Sequence, residues 1–347
     1  MHEAVVSLIG RDRPVELRVW RSFWDRLHTG GLRRGEATAL LASLSTRMPD
    51  RVTLGAFLDS LAERRPARPA DGFGPAVNIV GTGGGPRTFN ISTAAAFVAA
   101  AMGVRVVKTG SRAYTGSCGS LDLLEELGIT PATSYEQTRD VLERCGIAFA
   151  GHFVYPREIA LLARAVAPLD LRQLGSFVNT LGPFLADVPV TAQVTGVSRP
   201  AVLDALRHAA GHTSRATGRT VWLTDNDAGA DEFLAFTTNR VRAYESGGED
   251  EFTLVPGALG LGAGHLADLA PAEDGVRGAT SLFQDVLAGR GGPAATQTVC
   301  LNAAALAVAG RLTGDWHQAL GAARAALHNG SALRLVERLR TREAAHA

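Results

Sequence analysis

GTGGGPRTFNISTAAAF, residues 81–97, is a glycine-rich loop followed by an alanine-rich stretch that predicts a helix. It stands between two short runs rich in β-branched residues, AVNIVG at 76–81 and VRVVKTG at 104–110. A strand, a helix and a second strand in this order predict a βαβ unit with parallel strands. The stretch therefore places the chain in the α/β class.

The glycine-rich loop also predicts a binding site for an anion. Glycine has no Cβ, so the backbone N–H groups of such a loop approach a ligand closely. Asn90, Ser92 and Thr93 follow at the predicted start of the helix, where N–H groups are unpaired and the helix dipole is positive. The loop matches neither the P-loop nor the G-x-G-x-x-G pattern. We predict a cradle for phosphate or pyrophosphate; a glycine turn with ordinary helix capping is the alternative.

KTGSRAYTGSCGSLDLLEELG, residues 108–128, follows the second β run and carries two cations, Lys108 and Arg112. The same loop offers hydroxyl groups at Ser111, Thr115, Ser117 and Ser120. Ligands of open α/β sheets bind at the carboxyl ends of the strands, where this loop begins. Cations and hydroxyls beside an anion cradle predict a substrate with more than one phosphate group. A polar loop in which Ser120 caps a helix is the alternative, and the two roles are compatible.

TVWLTDNDAGADEFLAF, residues 220–236, is a predicted strand that leads into an acidic loop. Its spacing excludes an EF-hand, because the glycine comes one place early and position twelve is Phe236. The adjacent pair Asp231 and Glu232 is a candidate Mg²⁺ site if phosphates lie opposite, since Mg²⁺ takes one or two carboxylates together with substrate oxygens. A solvated acidic loop is the alternative for this pair taken alone.

The charges of the whole chain argue against binding to nucleic acid or to a membrane surface. The 347 residues include 35 basic and 34 acidic side chains, for a formal net charge of +1. Both kinds of partner need a concentrated basic face. Lys108 is the only lysine, so the other 34 basic residues are arginine. A chain that uses arginine at every other basic position raises the question of what this one lysine does.

Cys118, Cys145 and Cys300 are an odd number of cysteines without C-x-x-C spacing. They predict reduced thiols in a cytoplasmic protein rather than a disulfide framework or a zinc site. The start of the chain has no basic segment ahead of its apolar residues, and the longest apolar run, 94–104, is too short to span a bilayer. We therefore expect neither export nor membrane insertion.

The rest of the chain predicts two kinds of architecture. Apolar residues at helical spacing within 15–65 predict about three packed helices, and RRPARPADGFGP at 64–75 predicts a domain boundary. Beyond it we predict strands at 148–150, 191–197, 220–224 and 240–244. Further helices are predicted at 200–210, 279–287, 298–311 and after Trp316.

The motifs, in their order and spacing, strongly resemble the anthranilate phosphoribosyltransferase family. They are GTGG…TFNISTAAAF, K-x-G-x-R at 108–112, S-x-G-S-x-D-x-L-E-x-L-G at 117–128, NTLGP at 179–183 and the acidic pair at 231–232. The resemblance covers nearly the whole chain and implies a nucleoside-phosphorylase type of fold, with a small helical domain and a larger α/β domain around a mainly parallel sheet. The implied division is 1–70, joined by helices from about 156–190, and 71–347. It also implies a homodimer.

Carried over position by position, the resemblance implies that the cradle and the Lys-Arg loop bind 5-phosphoribosyl-1-pyrophosphate (PRPP). The implied PRPP-binding residues are Gly81, Thr82, Gly84, Thr88, Asn90, Ser92, Thr93, Lys108, Gly110, Ser111, Arg112, Thr115 and Ser120. The implied ligands of one or two Mg²⁺ ions are Ser92, Asp231 and Glu232. The residues implied to act in catalysis are Lys108, Arg112, Asp231 and Glu232.

Four departures from the family pattern matter, and three of them follow here. Gly85 and Pro86 replace the acidic segment of the family's glycine loop, so the number of Mg²⁺ ions stays open. The family's K-H-G-N-R is KTGSR here, so the Asn that meets the acceptor is Ser111. Its His-Pro pair becomes Tyr155-Pro156.

The fourth departure concerns the arginine that pairs with the carboxylate of anthranilate. That position is Gly175 here, in a segment about two residues shorter, and Arg172, Arg157 or Arg164 is a possible substitute. The implied acceptor-binding residues are Gly81, Ser111, Tyr155, Arg172, Gly175 and Asn179. The acceptor is therefore either anthranilate held by a shifted arginine or a different aromatic compound.

These observations predict a Mg²⁺-dependent transfer of the phosphoribosyl group from PRPP to anthranilate or a related aromatic acid or amine, in tryptophan biosynthesis or a specialised pathway. Two alternatives stay open. One is a nucleoside phosphorylase of the same fold, which the GTGG…NIST loop disfavours. The other is a non-catalytic paralogue that binds phosphorylated ligands or nucleic acid, which the acidic pair and the near-neutral charge disfavour.

Overall fold

The computed structural model describes residues 1–65, 72–113, 118–262 and 264–340, with all side chains in these ranges except those of residues 172 and 173. The strands are β1 (Ala76–Gly81), β2 (Arg105–Lys108), β3 (Ile147–Phe149), β4 (Ala192–Gly196), β5 (Thr220–Asn226), β6 (Asn239–Glu245) and β7 (Gly248–Leu254). The helices are α1 (Glu3–Gly10), α2 (Leu17–Thr29), α3 (Glu36–Thr46), α4 (Arg51–Ala62), α5 (Ile91–Ala101), α6 (Ser120–Glu126), α7 (Tyr135–Cys145), α8 (Arg157–Ala165), α9 (Leu171–Leu174), α10 (Ser176–Leu185), α11 (Leu203–Thr217), α12 (Gly275–Leu287), α13 (Pro293–Ala309), α14 (Trp316–His328) and α15 (Ser331–Arg340).

The strands form one seven-stranded sheet in the order β3-β2-β1-β4-β5-β6-β7. The first five strands of that order are parallel, and β6 and β7 continue the sheet in antiparallel pairing. α5 connects β1 to its parallel neighbour β2, so the predicted βαβ unit is confirmed. The α/β class with a mainly parallel central sheet is confirmed with it. This topology brings the loops after β1, β2 and β5 to one edge of the sheet.

The predicted strands each correspond to an observed one, but β7 was not predicted. Its sequence, GEDEFTL, is acidic, and the strand lies exposed at the end of the sheet. Charged residues on an edge strand discourage pairing with another chain, which explains why an edge strand need not show the apolar alternation of an inner one.

The helices differ from their predictions mainly at the ends. The helix predicted at 200–210 starts with a 3₁₀ turn and continues to Thr217, and neither α1 nor α7 was predicted. α1 has only eight residues, and its N-cap is a histidine, His2, rather than a favoured capping residue. In the part of the chain that the structure describes, no helix is long and apolar enough to cross a membrane.

One region of the core surrounds α5, whose sequence ISTAAAFVAAA is buried on nearly every side. α5 packs against the equally buried α13 and against β1 and β2. Short alanine side chains allow this close approach, and alanine is also the strongest helix former. The packing fixes the first turn of α5 at the edge of the sheet, where the glycine loop ends.

A second region of the core joins the N-terminal helices to α8 and α10. The stacked rings of Trp20 and Trp24 lie 5.7 Å apart, and Phe57 on α4 meets Phe177 on α10 at 5.2 Å. Residues of α11 and of the sheet belong to the same cluster, so the helices pack directly on the sheet. The division into two domains stays a prediction, and residues 66–71 of the expected boundary lie outside the described residues.

Candidate functional site

A cavity of about 1040 Å³ opens at the edge of the sheet where β1, β2 and β5 end. One wall consists of the glycine loop 81–90, residues 108–113 and 118–120, and the acidic pair at 231–232. The opposite wall comes from residues 152–163, Leu171 and residues 178–185. Motifs far apart in the sequence thus meet in one cavity large enough for two substrates.

Most of the predicted site residues line this cavity. Those that do are Gly81, Thr82, Gly84, Thr88, Asn90, Ser92, Lys108, Gly110, Ser111, Arg112, Ser120, Tyr155, Asn179, Asp231 and Glu232. Thr93 and Gly175 are buried and do not line it. Thr115, Ser117 and the side chain of Arg172 lie outside the described residues. The roles of all these residues stay predictions.

The glycine loop is tied to the acidic pair. The Gly83 N–H donates to Asp231 Oδ2 at 2.8 Å, and the Ser198 hydroxyl donates to the Gly83 carbonyl at 2.6 Å. Gly83 and Gly84 have φ of +68° and +79°, which favour glycine. A Cβ at Gly81 would overlap Asp231 Oδ2 and lie 2.7 Å from its Cγ. The loop and Asp231 therefore form one rigid unit.

The first turn of α5 carries buried polar atoms that lack hydrogen-bond partners in the described residues. Asn90 is the N-cap of the helix, but its side chain makes no capping bond; its Nδ2 donates to the Cys118 carbonyl at 3.3 Å. In the described residues, the buried Oδ1 of Asn90 and Oγ1 of Thr93 have no hydrogen-bond partner. Buried polar atoms without partners are uncommon in folded proteins. The helix dipole, the unpaired N–H groups of this first turn and the hydroxyl residue Ser92, which lines the cavity, make this end of α5 suitable for an anion.

Lys108 ends β2 beneath the cradle and is 2% exposed. Its Nζ donates to the carbonyl oxygens of Ile79 and Thr109, each at 3.1 Å. Burial lowers the pKa of Lys108 to about 8, although the nearby charges of Glu232 and Asp231 act in the opposite direction. The lysine thus serves as the counter-ion of the acidic pair.

The acidic pair lies deep in the molecule but keeps a surface on the cavity. Burial raises the pKa of Asp231 above its usual range, against the hydrogen bond from Gly83. Burial raises the pKa of Glu232 further, and Asp231 adds to that rise. Glu232 Oε2 has no hydrogen-bond partner in the part of the chain that is described. Burial disfavours the charged forms of these two adjacent carboxylates, so they need positive charge beside them to be ionised together.

The pair fits a hard divalent cation such as Mg²⁺, which is held by oxygen atoms. Within the described ranges, no group of three or more His, Cys, Asp and Glu side chains could hold a metal. Asp231 and Glu232 would therefore supply two carboxylates, and water and substrate oxygens would supply the remaining ligands. Ions of this kind commonly bind proteins in that way when a phosphorylated substrate is present.

Arg112 stands at the mouth of the cavity with its side chain 64% exposed. Its Nη1 donates to Asp122 at 3.0 Å and to Glu125 at 2.8 Å. Ser120 does not cap α6 as predicted: the N-cap is Gly119, and Ser120 is the first helical residue. The carboxylate of Asp122 accepts from the N–H of Gly119 at 2.9 Å instead, because an acidic side chain three residues into a helix reaches back to its start.

Sequence reasoning missed several residues that line the cavity, among them Arg64 and Thr109. Arg64 lines the cavity although it lies in the expected boundary segment, and nothing in its sequence context indicates a role. Thr109 accepts a hydrogen bond from Asn78 Nδ2 at 3.0 Å, and the phenol of Tyr155 lies beside the Thr109 side chain. Burial raises the pKa of Tyr155 to about 12, so the phenol is neutral. In the sequence, Thr109 and Tyr155 stand where the family pattern has two histidines. This double replacement was the signal that could have indicated that the two residues lie together.

Comparison with known proteins agrees with this arrangement. Residues 74–333 match the family model described as glycosyl transferase family, a/b domain. Anthranilate phosphoribosyltransferase from Bacillus licheniformis is 31% identical over 319 residues, which are 91% of this chain and 90% of the relative. The chain belongs to the anthranilate phosphoribosyltransferase family. It is therefore a glycosyltransferase of the pentosyltransferase class.

Other members of the anthranilate phosphoribosyltransferase family show the same extent of similarity. The relative from Parasynechococcus marenigrum is 34% identical over 306 residues, 87% of this chain and 84% of its own. The crystal structure of the Thermus thermophilus enzyme has a TM-score of 0.78 at 29% identity and covers 98% of this chain and 99% of that chain. The Saccharomyces cerevisiae enzyme in complex with PRPP and Mg shares the fold, with a TM-score of 0.71 at 20% identity over 94% of this chain and 91% of that one.

Proposed function

We propose that the chain is a Mg²⁺-dependent phosphoribosyltransferase that transfers the 5-phosphoribosyl group of PRPP to anthranilate or a related aromatic acid or amine. The observation that carries the proposal is the anion cradle bonded directly to a buried carboxylate pair. A polyphosphate beside two acidic groups requires a cation between them, and PRPP carries its pyrophosphate on the reacting carbon. The yeast relative, as a complex with PRPP and Mg, supports the same substrate and ion.

The reaction breaks the bond between ribose C1 and a pyrophosphate oxygen, which leaves with the bonding electron pair. The acceptor amine donates its lone pair to C1 and then loses a proton to water or to the released pyrophosphate. Positive charge grows on the ribose and negative charge grows on the pyrophosphate, so the protein must hold the leaving group and align the amine. No covalent nucleophile is required, and burial raises the pKa of the Cys118 thiol to about 11, which makes it a poor one.

The residues of the cradle wall divide this work. The glycine loop and the first turn of α5, with Ser92, would hold the pyrophosphate through backbone N–H and hydroxyl groups. Lys108, beneath the loop, would offset part of the negative charge of Asp231 and Glu232. Arg112, at the mouth, would exchange its contacts with Asp122 and Glu125 for a phosphate of the substrate.

Mg²⁺ would be held by Asp231 and Glu232, with Ser92 on the side of the cradle. When bound, the ion neutralises charge that develops on the leaving pyrophosphate. Whether one ion or two bind depends on the loop at Gly85, which offers no carboxylate of its own. Titration of Mg²⁺ in the presence of PRPP, followed by calorimetry, gives that number.

A homodimer in the cytoplasm belongs to the same proposal. The family resemblance implies the dimer, and α1, where Val6 and Ile9 are 43% and 57% exposed, is a candidate contact surface. The three cysteines are unpaired, which suits a reducing compartment. Light scattering on the eluted protein tests the oligomeric state.

The test combines protein, PRPP, Mg²⁺ and a panel of aromatic amines, hydroxybenzoates and heterocycles, and follows pyrophosphate release. We expect release that requires all components and falls by at least about 100-fold in Glu232→Gln. Silence across the panel would count against the proposal. Phosphorolysis of pyrimidine nucleosides would instead indicate a nucleoside phosphorylase, and tight binding of single-stranded DNA without turnover would indicate a non-catalytic paralogue.

A further inference from the structure

The loop that follows β4, residues 196–199, contacts both walls of the cavity. On the cradle side, Ser198 is buried, and its hydroxyl donates to the Gly83 carbonyl at 2.6 Å. The Ser198 N–H donates to Thr82 Oγ1 at 3.4 Å. A Cβ at Gly85 would lie 3.1 Å from the Ser198 Cβ. The loop after β4 is therefore packed directly against the glycine loop of the cradle wall.

Arg199, the last residue of this loop, extends to the opposite wall. Its Nη2 donates to Thr180 Oγ1 at 2.6 Å, and Thr180 is fully buried on α10. Its Nε and Cδ lie 3.7 and 3.8 Å from the position of a Cβ at Gly84, in the cradle wall. Among the described residues Arg199 has no ion pair with an acidic side chain, so the bond to Thr180 is what fixes its guanidinium group. One side chain thus joins the two walls.

α10 carries the part of the opposite wall on which Arg199 acts. Val178, Asn179 and Pro183 of this helix line the cavity on either side of Thr180. Near the end of the helix, Gln193 of β4 donates to the Pro183 carbonyl at 3.0 Å. Side chains from β4 and from the loop after it therefore hold α10 at two points. A helix held in this way cannot slide or turn without breaking one of the two bonds.

The distance between the two walls matters for the proposed phosphoribosyl transfer, on which this inference rests. The reacting atoms, the acceptor amine and ribose C1, must come within about 3–3.5 Å of each other in good alignment. The cradle would hold the ribose through its phosphates, and the opposite wall would hold the acceptor. A misplacement of about 1 Å can lower the rate by about 100-fold. A group that contacts both walls is therefore well placed to control the reaction.

We propose that Arg199 is a positioning residue of the transfer. Through its bond to Thr180 it sets the distance of α10 from the cradle, and with it the distance of the acceptor from the ribose. Arg199 itself is not among the residues that line the cavity, so it acts through α10 and not on the reacting atoms. Its loss leaves the PRPP site in place and misplaces the acceptor.

The test removes each partner of this hydrogen bond, in Arg199→Gln, in Thr180→Val and in the double variant. With the amine of the panel above that the wild-type chain turns over fastest, we expect each single variant to lower kcat by about tenfold. The double variant should lose no more than either single one, because both changes break the same bond. The affinity for PRPP with Mg²⁺, measured by calorimetry, should stay within about twofold of the wild type. Thr180→Ser keeps the hydroxyl group and should turn over within about twofold of the wild type.

Arg51→Gln is the matched control. Arg51 Nη2 donates to Asp204 Oδ1 at 2.6 Å and joins α4 to α11, and neither of these two described helices lines the cavity. We expect turnover within about twofold of the wild type, because this ion pair is exposed and lies outside the site. All rates are divided by the number of PRPP sites found by calorimetry, so a partial loss of folded protein does not lower them.

Unchanged turnover in Arg199→Gln would overturn the inference but leave phosphoribosyl transfer standing. Losses that multiply in the double variant would also overturn it, since the two residues would then not act through one bond. A fall in PRPP affinity as large as the fall in kcat would place Arg199 in the cradle instead and exclude the positioning role. A wild-type chain that binds no PRPP, or that turns over no amine of the panel, would overturn the proposed function as well.

Discussion

Lys108 fills a site that is shaped for an ammonium group. Its Nζ bonds two carbonyl oxygens at 3.1 Å and faces the charges of Asp231 and Glu232 in a position that is 2% exposed. A guanidinium is larger and planar, so Lys108→Arg must displace these groups. We expect it to lower kcat/KM by about 100-fold and the free energy of unfolding by about 1–3 kcal/mol. Pyrophosphate release and urea unfolding measure the two effects.

The matched control for this variant is a surface exchange in the opposite direction. Arg290 is 68% exposed and pairs with Asp285, so Arg290→Lys changes little but the geometry of a solvated ion pair. We expect turnover within about twofold of the wild type. Similar losses in the two variants would remove the inference that the single lysine of the chain is placed for function.

Gly81 is required by the position of Asp231. Because a Cβ at Gly81 would overlap Asp231 Oδ2, Gly81→Ala pushes the carboxylate away from the Gly83 N–H and from the cavity. We expect the affinity for Mg²⁺ in the presence of PRPP to fall by about tenfold or more. Gly321 on α14 has no atom within 4 Å of an added Cβ, and Gly321→Ala should leave that affinity unchanged. Unchanged Mg²⁺ affinity in Gly81→Ala would show that the acidic pair is not the metal site.

At the scale of elements, α1 starts with a histidine cap whose function depends on pH. The Ala4 N–H donates to His2 Nδ1 at 3.1 Å, which requires the neutral ring. Burial lowers the pKa of His2 below 6.5, and the charge of Arg26 adds to this. As the pH falls through 6.5 the unfolded chain takes up the proton first, so this stabilising contribution is present above 6.5 and is lost below it.

The prediction follows from replacing that cap by one that does not titrate. Asn is a strong N-cap, so we expect His2→Asn to match the wild type at pH 8 within about 0.5 kcal/mol and to lose less stability between pH 7 and pH 5. Urea unfolding at several pH values measures this. His317 lies exposed in the first turn of α14, and His317→Asn should keep the wild-type pH dependence. An equal loss of stability in His2→Asn and wild type would exclude the cap as the cause.

The elements that could be predicted are those whose own residues decide their structure. β1, α5 and β2 were predicted because β-branched and alanine runs stand on either side of a glycine loop. α1 and β7 could not be, since α1 is stabilised by tertiary packing of Val5 and Leu8, and β7 by pairing with β6. The cap of α6 was predicted at Ser120 because hydroxyl residues favour that position, whereas the turn placed Gly119 there.

Across the whole molecule, the cavity lies between the sheet edge and the helices α8 and α10, which belong to the second region of the core. Local motifs located its cradle wall from the sequence. The opposite wall could be located only in part, through Asn179 of the NTLGP motif and Tyr155, because residues such as Arg64 reach it through helix packing rather than through a motif. The contacts of Arg112 could not be predicted either, because its partners Asp122 and Glu125 lie on α6 and no motif pairs them with Arg112.

A ligand that fills this cavity contacts both walls, so its binding should stabilise the whole chain. PRPP alone brings negative charge close to Asp231 and Glu232, and Mg²⁺ alone finds only two carboxylate ligands. When both bind, Mg²⁺ neutralises the phosphate charge and the phosphate oxygens supply further ligands to the ion. We expect both at about 100 times their dissociation constants to raise the free energy of unfolding by about 2.7 kcal/mol, and either one alone to do much less. Thermal unfolding with and without EDTA measures the difference.

Glu232→Gln tests the same coupling from the protein side. Burial raises the pKa of Glu232, so the charged form costs stability in the folded chain above its usual pKa, and the neutral amide avoids that cost. We therefore expect the variant without ligand to melt at the wild-type temperature or higher, while the shift produced by PRPP and Mg²⁺ together is lost. Such a result would mark Glu232 as a residue kept for function at the expense of stability. A ligand-induced shift of wild-type size in Glu232→Gln would instead place the metal elsewhere in the cavity.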